Sequence, residues 1–381
     1  MRVYLDCNAT SPLRPEARAA MLAALEAPAN PSSVHAEGRR ARLLVEEARA
    51  AVAAFAGASP DHVTFTSGGT EANTLALLGS LQSAAEAGQR FTRLVVSSIE
   101  HDSVLRLAHR SAELFPGLRV SQLPAGSSGA VDPDALEAQL REGKGRALVS
   151  VMAVNNETGV IQPLPAIAAV CAAHGALLHC DAIQAAGKIP ATLASLYADM
   201  LTFSAHKVGG PQGAGAVVTR PGVNLAPQLL GGRQERGLRA GTEATAAITG
   251  FAAALVAART PLPAMREDLE QRLRAACPEA VIFGSTAPRV ANTTCIAAPG
   301  VTAETLVIAL DLDGYAVSAG SACSSGRVAR SHVLDAMGAD QDLSRCAIRI
   351  STGWQTTPED TAAFADAWGK IVTRARARAA A

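Results

Sequence analysis

The chain has 381 residues, of which 49% are hydrophobic and 18% are charged, so it is long enough to bury a large core and to divide into two domains. Its 34 basic and 34 acidic residues give a formal net charge of zero, which argues against nucleic acid or an anionic membrane as a direct partner and favours small molecules or proteins. No apolar stretch approaches the roughly 20 residues of a membrane-spanning helix, and MRVYLD is not followed by an apolar signal core, so we expect a cytoplasmic protein.

Short apolar runs alternate with alanine-rich helical segments through the first part of the chain. The runs are VTFT (63–66), LVVSS (94–98), ALVSVMAV (147–154), ALLHCDA (176–182) and MLTFSAH (200–206). Strands that alternate with helices predict a mostly parallel sheet covered by helices, so we expect an α/β fold.

The pattern changes after about residue 245. A helical stretch to 258 is followed by a break at TPLP (260–263) and then by two strand candidates, ANTTCIAA and AIRIST, among helices. A last helix is expected from about 358 to 378. We interpret these segments as a smaller α/β domain. The predicted large domain therefore spans 13–250, and the small domain combines 1–12 with 251–381.

The seven cysteines predict reduced thiols, because their number is odd and they lack the close spacing of a disulfide framework. Cys171, His174, His179 and Cys180 have a spacing at which cysteine and histidine can bind zinc. The first two end a predicted helix, whereas the last two lie on a predicted strand. Convergence of the four around one ion is therefore not expected, and we predict no metal.

A glycine-rich turn, SGGTEAN (67–73), follows the strand VTFT and opens a helix. In a parallel sheet, ligands collect beyond the carboxyl ends of the strands. The N–H groups and the positive end of the dipole at a helix N-terminus suit a phosphate. A plain helix cap by Ser67 or Thr70 is the alternative interpretation.

Polar residues also follow the next strands. LVVSS leads to His101, and ALVSVMAV leads to Asn155 and Asn156, although a lone histidine or a pair of asparagines in a turn is often structural. Asp181 and Gln184 follow ALLHC.

MLTFSAH contains Ser204 and His206 and is followed by Lys207. A lysine for a Schiff base, a carboxylate for a pyridine nitrogen and a place for a phosphate are together what pyridoxal phosphate requires. An ion pair or turn at Asp181 and a solvated position for Lys207 are the alternatives.

Eight motifs in order make the chain resemble a known family. They are SGGTEAN, SSIEHDSVL, VNNETGVIQPL, HCDAIQAAGK, TFSAHKVGGPQGAGAV, GGRQERGLRAGTE, SAGSACSSG and AIRIST. Together they resemble the cysteine desulfurases of the NifS and IscS group, in the class V aminotransferase superfamily. The resemblance runs from YLDCNAT (4–10) to near residue 355. It implies a pyridoxal-phosphate-dependent transferase of fold type I, with a mostly parallel seven-stranded sheet in a large domain and a smaller C-terminal α/β domain.

The resemblance also implies roles for individual residues around the cofactor. Lys207 would form the Schiff base and remove the substrate α-proton, Asp181 would face the pyridine nitrogen, and Gln184 would contact the ring hydroxyl. His101 would stack over the ring and assist proton transfer. The residues implied to hold the phosphate are Gly69, Thr70, Ser204, His206 and, from a second subunit, Thr242.

For the substrate, L-cysteine, the resemblance implies Asn156 beside the ring and Arg349 of AIRIST at the carboxylate. The planar guanidinium suits a carboxylate because it donates two parallel hydrogen bonds. A strand arginine facing solvent is the alternative. The role of Thr242 implies a homodimer with shared active sites.

Cys323 lies among small residues in SAGSACSSG (318–326). The resemblance implies that it takes the substrate sulfur as a persulfide while the substrate becomes alanine, and then passes the sulfur to an acceptor such as an iron–sulfur scaffold protein. Gly320, Gly326 and the serines would give the backbone the freedom for that transfer. The eight-residue step to Ser331 resembles the longer-loop group that includes NifS and IscS. In the C-terminal sequence TRARARAAA we find no segment that corresponds to the scaffold-docking tail of the IscS type.

Three other functions compete with desulfuration. A selenocysteine lyase, or another aminotransferase or lyase of class V, would have the same cofactor site, but a transaminase needs no protein thiol such as Cys323. A binding module that has lost activity is disfavoured because Lys207, His101 and Cys323 are all present. A scaffold with fortuitous motifs is disfavoured by eight motifs in order. The pathway that receives the sulfur is left open.

Overall fold

The computed structural model describes residues 2–26, 29–259, 263–320 and 330–380. The strands in these ranges are β1 (Val3–Tyr4), β2 (Val63–Thr66), β3 (Phe91–Ser97), β4 (Arg119–Leu123), β5 (Arg146–Ser150), β6 (Leu177–Asp181), β7 (Met200–Ser204), β8 (Gly215–Thr219), β9 (Val281–Ile282), β10 (Thr293–Ala297), β11 (Tyr315–Ala316), β12 (Ser318–Ala319) and β13 (Ala347–Ser351). The α-helices are α1 (Pro15–Leu25), α2 (Ala36–Ala56), α3 (Gly69–Glu86), α4 (Asp102–Leu114), α5 (Pro133–Glu142), α6 (Leu164–Ala173), α7 (Thr245–Ala257), α8 (Pro263–Ala276), α9 (Ala303–Leu312), α10 (His332–Ala336), α11 (Gln341–Ser344) and α12 (Pro358–Ala380).

Seven strands form the central sheet, in the order β2-β8-β7-β6-β5-β3-β4. Strand β8 is antiparallel to both of its neighbours, and the other adjacent pairs are parallel. The prediction of a mostly parallel seven-stranded sheet in an α/β fold is therefore confirmed. Because β2, β3, β5, β6 and β7 run in one direction, their carboxyl ends meet at the same edge of the sheet.

The five apolar runs of the sequence correspond to β2, β3, β5, β6 and β7. Two strands of this sheet were not predicted. Strand β4 is an edge strand with the polar sequence RVSQL, of which only Leu123 is buried, so it lacks an apolar pattern. Strand β8 begins near the end of the motif TFSAHKVGGPQGAGAV and continues past it. Glycine and alanine obscure the apolar run there.

Both faces of the sheet are covered, which explains the nearly continuous apolar strands. On one face, α3 and α4 pack Leu75 and Val104 near Leu94 of β3. On the other face, helices α2, α5, α6 and α7 enclose a larger cluster that includes Val95, the next residue along β3. The alternation of successive side chains between two buried faces fixes the register of the strands.

The two strand candidates of the C-terminal region are confirmed as β10 and β13, which are neighbours in a four-stranded antiparallel sheet of order β12-β13-β10-β9. Helices α8, α9 and α12 pack on this sheet around Phe364 and Trp368. Strand β1 pairs with β11, which joins the N-terminus to this region.

The division of the chain into two domains stays a proposal. Helix α7 packs on α1 and α2 and continues to Ala257, seven residues beyond the predicted boundary at 250. Residues 260–262 of the predicted break lie outside the described residues. In the ranges that the structure does describe, none of the helices has the combination of length and apolar character needed to cross a bilayer.

Candidate active site

A cavity of about 270 Å³ lies at the carboxyl ends of the parallel strands. It brings together every predicted site residue that the structure describes, with the exception of Thr242. These residues are Gly69, Thr70, His101, Asn156, Asp181, Gln184, Ser204, His206, Lys207 and Arg349. Polar residues that follow separate strands therefore converge on one cavity.

One end of the cavity is the N-terminus of α3. Its N-cap residue is Gly68, and no side chain caps the helix, so the capping role considered for Ser67 and Thr70 is wrong. A Cβ atom on Gly69 would lie 2.3 Å from Cδ1 of Ile183 and 3.3 Å from Cβ of Ser204, so a larger residue would require the side chain of Ile183 to move. The first N–H groups of α3 therefore approach the cavity closely, where an anion is stabilised by the helix dipole.

His206 lies beside this end, with its Nδ1 atom 3.1 Å from Oγ1 of Thr10. Burial lowers the pKa of His206 to about 4, and the neighbouring Lys207 acts in the same direction. The imidazole is therefore neutral at pH 7 and can serve as a hydrogen-bond partner without a charge of its own.

Asp181 is the buried carboxylate of the cavity. It accepts hydrogen bonds from Nδ2 of Asn73 and from the N–H of Ile183, each of 2.9 Å. Burial raises the pKa of Asp181, whereas the hydrogen bonds oppose this change. A buried carboxylate in such a place is well suited to a cationic ligand, which would stabilise its ionised form.

Asn73 connects two parts of the site and was missed by the sequence analysis. Its Nδ2 atom also donates to Oγ of Ser103 at 2.9 Å, and its Oδ1 accepts from Oγ1 of Thr202 at 2.6 Å. It lies four residues after Gly69 in SGGTEAN, and residues at this spacing share a helix face. That spacing is the signal that could have identified it.

His101 is the N-cap residue of α4. Its Nδ1 atom accepts from the N–H of Ser103 at 3.1 Å and lies 2.9 Å from the hydroxyl of the same serine. Because a backbone N–H is always a donor, the neutral ring carries its proton on Nε2. Ser103 and Asn73 thus link the orientation of His101 to that of Asp181.

Lys207 lies in a 3₁₀ turn directly after β7. Its Nζ atom donates to the carbonyl oxygens of Asn8 and Ala9, at 2.7 and 2.8 Å. Nε2 of Gln184 donates to the same Asn8 oxygen at 3.0 Å. The N-terminal segment therefore contributes to the site, a role that the polar residues of YLDCNAT alone did not indicate.

Arg349 reaches the cavity from β13 of the second sheet and is 2% exposed, so the solvent-facing alternative is wrong. Its Nη2 atom donates to Oδ1 of Asp6 at 2.7 Å, and its Nη1 donates to the carbonyl oxygen of Asn156 at 3.1 Å. Within the described residues its buried Nε has no acceptor. The guanidinium is held in place yet retains donors for a carboxylate.

One predicted residue that the structure describes stands apart from this cavity. Thr242 is exposed and does not line the cavity of its own chain. The segment before it is held by Glu235, whose carboxylate accepts from both Nη atoms of Arg49 at 2.7 and 2.8 Å and from the N–H of Phe65. Cys323, with Gly326, lies outside the described residues.

The residues considered for zinc have other surroundings. Cys171 is in α6, and His179 and Cys180 are on β6. His179 bonds the hydroxyls of Ser150 and Thr202, and burial lowers its pKa to about 3. Across the described ranges, no three His, Cys, Asp or Glu side chains are grouped to hold a metal ion.

Comparison with known proteins gives one consistent result. The family model described as aminotransferase class-V matches residues 3–364. A cysteine desulfurase of Cereibacter sphaeroides is 41% identical, over 99% of this chain and 97% of that protein. Cysteine desulfurase IscS of Dictyoglomus turgidum is 37% identical, over 98% and 95%. A solved structure of a NifS-like protein is 34% identical and superposes with a TM-score of 0.89, over 98% of this chain and 100% of that one.

Proposed function

Because the chain belongs to the aminotransferase class-V family and, within it, to the cysteine desulfurases, we propose that it removes sulfur from L-cysteine with pyridoxal phosphate as cofactor and releases L-alanine. The similarity to the NifS-like structure also confirms the predicted fold type. The observation that carries the proposal is the meeting of Lys207, Asp181, His101 and Arg349 around one cavity, although they come from two sheets and four separate parts of the chain.

The residues of the cavity fit pyridoxal phosphate. The uncapped N-terminus of α3, with Ser204 and His206 beside it, suits the phosphate. Asp181 is a buried carboxylate that a protonated pyridine nitrogen would stabilise. When bound, the cofactor supplies an aldehyde that holds amino groups and a ring that withdraws electrons. Lys207 would hold that aldehyde, and Gln184 would contact the ring hydroxyl.

The substrate is held by its carboxylate. Arg349 binds this group with the donors that Asp6 and Asn156 leave available, and its burial strengthens the interaction. Asn156 lines the same cavity, with its carbonyl oxygen bonded to Arg349, and would lie beside the substrate. Lys207 removes the α-proton, and His101 offers the proton on its Nε2 for transfer within the cavity.

Sulfur then moves to Cys323. Its thiolate attacks the substrate sulfur, so that a sulfur–sulfur bond forms as the bond from sulfur to Cβ breaks. The electron pair of the broken bond stays with carbon, which takes a proton to become the methyl group of alanine. A persulfide on Cys323 remains, and a protein acceptor such as an iron–sulfur scaffold receives its outer sulfur.

The first experiment measures products and the site of the sulfur together. With L-cysteine and a dithiol reductant, we expect alanine and sulfide in equal amounts. Without reductant, mass spectrometry should find one additional sulfur atom on the peptide that contains Cys323 and none on the peptide with Cys171, the internal control. A cofactor-loaded protein that forms no alanine from L-cysteine, or that gains sulfur only at other cysteines, would contradict the proposal.

A homodimer with shared active sites is part of the proposal. Thr242 is exposed in its own chain, and the Arg49–Glu235 pair holds the backbone that precedes it. This arrangement supports its presentation to the phosphate of a partner subunit.

Mixing two inactive variants tests the shared site. Lys207→Ala inactivates the site of its own chain, whereas Thr242→Glu places a carboxylate against the phosphate in the partner's site. Hybrid dimers contain one site with both wild-type residues, so random mixing should restore about one quarter of the sites in a dimer of this kind. Hybrids purified through two different tags that show no activity above the parent variants would exclude a contribution of Thr242 across the interface.

A cytoplasmic location belongs to the same proposal. The six cysteines in the described part of the chain are free thiols, as is usual in a reducing compartment. The acceptor of the sulfur is proposed as a protein because the persulfide on Cys323 must be passed on before the next turnover.

A further inference from the structure

We propose that Lys188 is a positioning residue, which holds the amide of Gln184 in the orientation that the ring hydroxyl of the cofactor requires. The inference rests on the proposed function, because it assumes that Gln184 contacts the cofactor. Lys188 is only 7% exposed, and none of the catalytic steps described above uses it. A buried lysine needs compensating hydrogen bonds, so its partners indicate what it does.

Lys188 and Gln184 are neighbours in a series of tight turns. They are four residues apart, and one of these turns is closed by the hydrogen bond of 3.1 Å from the N–H of Ala186 to the carbonyl oxygen of Ala182. Gly187 has a φ of +73°, so the stretch is not a regular helix. The turns, and not helical spacing, bring the ammonium to the amide.

The ammonium donates to two acceptors. One is Oε1 of Gln184, and the other is Oδ1 of Asn8, at 2.8 Å. Asn8 is also the residue whose carbonyl oxygen accepts from Lys207 and from Nε2 of Gln184. Lys188 thus supports, through Asn8, the contact that positions Lys207.

These partners determine where the oxygen and the nitrogen of the Gln184 amide lie. Its oxygen faces a cation, and one hydrogen of its NH₂ group faces the Asn8 carbonyl, so the second hydrogen remains as a donor for the cavity. Without Lys188 only the Asn8 carbonyl oxygen would hold the amide in this orientation. The donor that Gln184 offers to the ring hydroxyl would then be less firmly positioned.

Lys188 lies outside the cofactor cavity. It does not line the cofactor cavity but a second cavity of about 380 Å³, which Lys207 also lines. Burial, followed by the charge of Lys207, lowers the pKa of Lys188 to about 7. The ionisable groups that face it or line this second cavity are Cys7, Arg14, Lys207, Arg259 and Arg349.

The pH dependence of the bound cofactor's absorbance provides a readout. Its visible band changes with the proton on the nitrogen of Lys207. A nearby cation and a hydrogen bond donated to the ring oxygen both disfavour that proton. Removing Lys188 withdraws the cation and releases the amide, so both changes move the midpoint to higher pH.

The experiment measures this midpoint in Lys188→Met, with Lys370→Met at an exposed lysine as the matched control. We expect an upward shift of about one pH unit for Lys188→Met and none for the control. In a Gln184→Ala background the Lys188→Met shift should fall to less than half, because the partner through which Lys188 acts is gone. If Lys188→Met does not fold, Lys188→Gln takes its place, because glutamine retains a hydrogen-bond donor. Its midpoint should also shift to higher pH.

An unchanged midpoint would overturn the inference, and so would a full shift that persists without Gln184. Neither result would affect the proposed function. A wild-type protein that forms no visible band with pyridoxal phosphate would instead contradict the proposed function, so the two failures are distinguishable.

Discussion

Lys207→Ala should lower alanine formation from L-cysteine by about 10⁴-fold, since both the attachment of the cofactor and the transfer of the α-proton depend on this amine. The structure places Nζ at the cavity with two carbonyl oxygens, so alanine removes the amine from an ordered position. The loss should appear in single-turnover measurements of alanine at saturating cofactor, which separate chemistry from product release.

Lys144→Ala is the control for Lys207→Ala, because Lys144 is exposed and far from the cavity along β5. Its rate should equal that of the wild type. If Lys207→Ala retained alanine formation within tenfold of the wild type, the amine would have neither role and the assignment of the site would be wrong.

Asp181→Asn is the second substitution with a large expected effect. The amide has nearly the same shape and can still accept from the N–H of Ile183, but it lacks the negative charge that would stabilise a protonated pyridine nitrogen. Loss of one preorganised electrostatic group in a buried site lowers turnover by about 10²–10³-fold. The measurements are kcat, which should fall, and the dissociation constant of the cofactor, which should rise.

Asp199→Asn is the matched control for this substitution. Asp199 also accepts a backbone N–H, from Leu178, and contacts Arg220, but it does not line the cavity. We expect turnover within a factor of about two of the wild type, as is usual for substitutions away from a site. Equal turnover of Asp181→Asn and Asp199→Asn would show that the charge of Asp181 has no part in the reaction.

Much of the site could be predicted because it depends on short stretches of sequence. Strand β7 ends at Ser204 and a turn follows at once, so Lys207 was expected beyond the strand end, where the structure has it. In the same way, β2 leads into α3 at Gly69. Such local patterns are strong because apolar periodicity and turn residues act over a few neighbouring positions.

Asp6 and Asn8, which the sequence analysis did not single out, belong to the site through contacts between distant parts of the chain. Asp6 and Arg349 are 343 positions apart and meet only because β1 and β13 belong to the same end of the molecule. Asn8 touches Gln184, Lys188 and Lys207 for the same reason. No spacing in the sequence encodes such pairs, since their geometry follows from how two sheets pack together.

The sequence by itself determined the α/β class, the mostly parallel sheet and which polar side chains follow its strands. These features follow from periodicity and residue type. Only the tertiary structure decided that Arg349 is buried at the cavity and that Thr242 lies away from it in its own chain. It alone also placed Lys188 behind Gln184. The physical reason is that burial and hydrogen-bond partners are properties of packed surfaces, and a packed surface is assembled from segments that are remote along the chain.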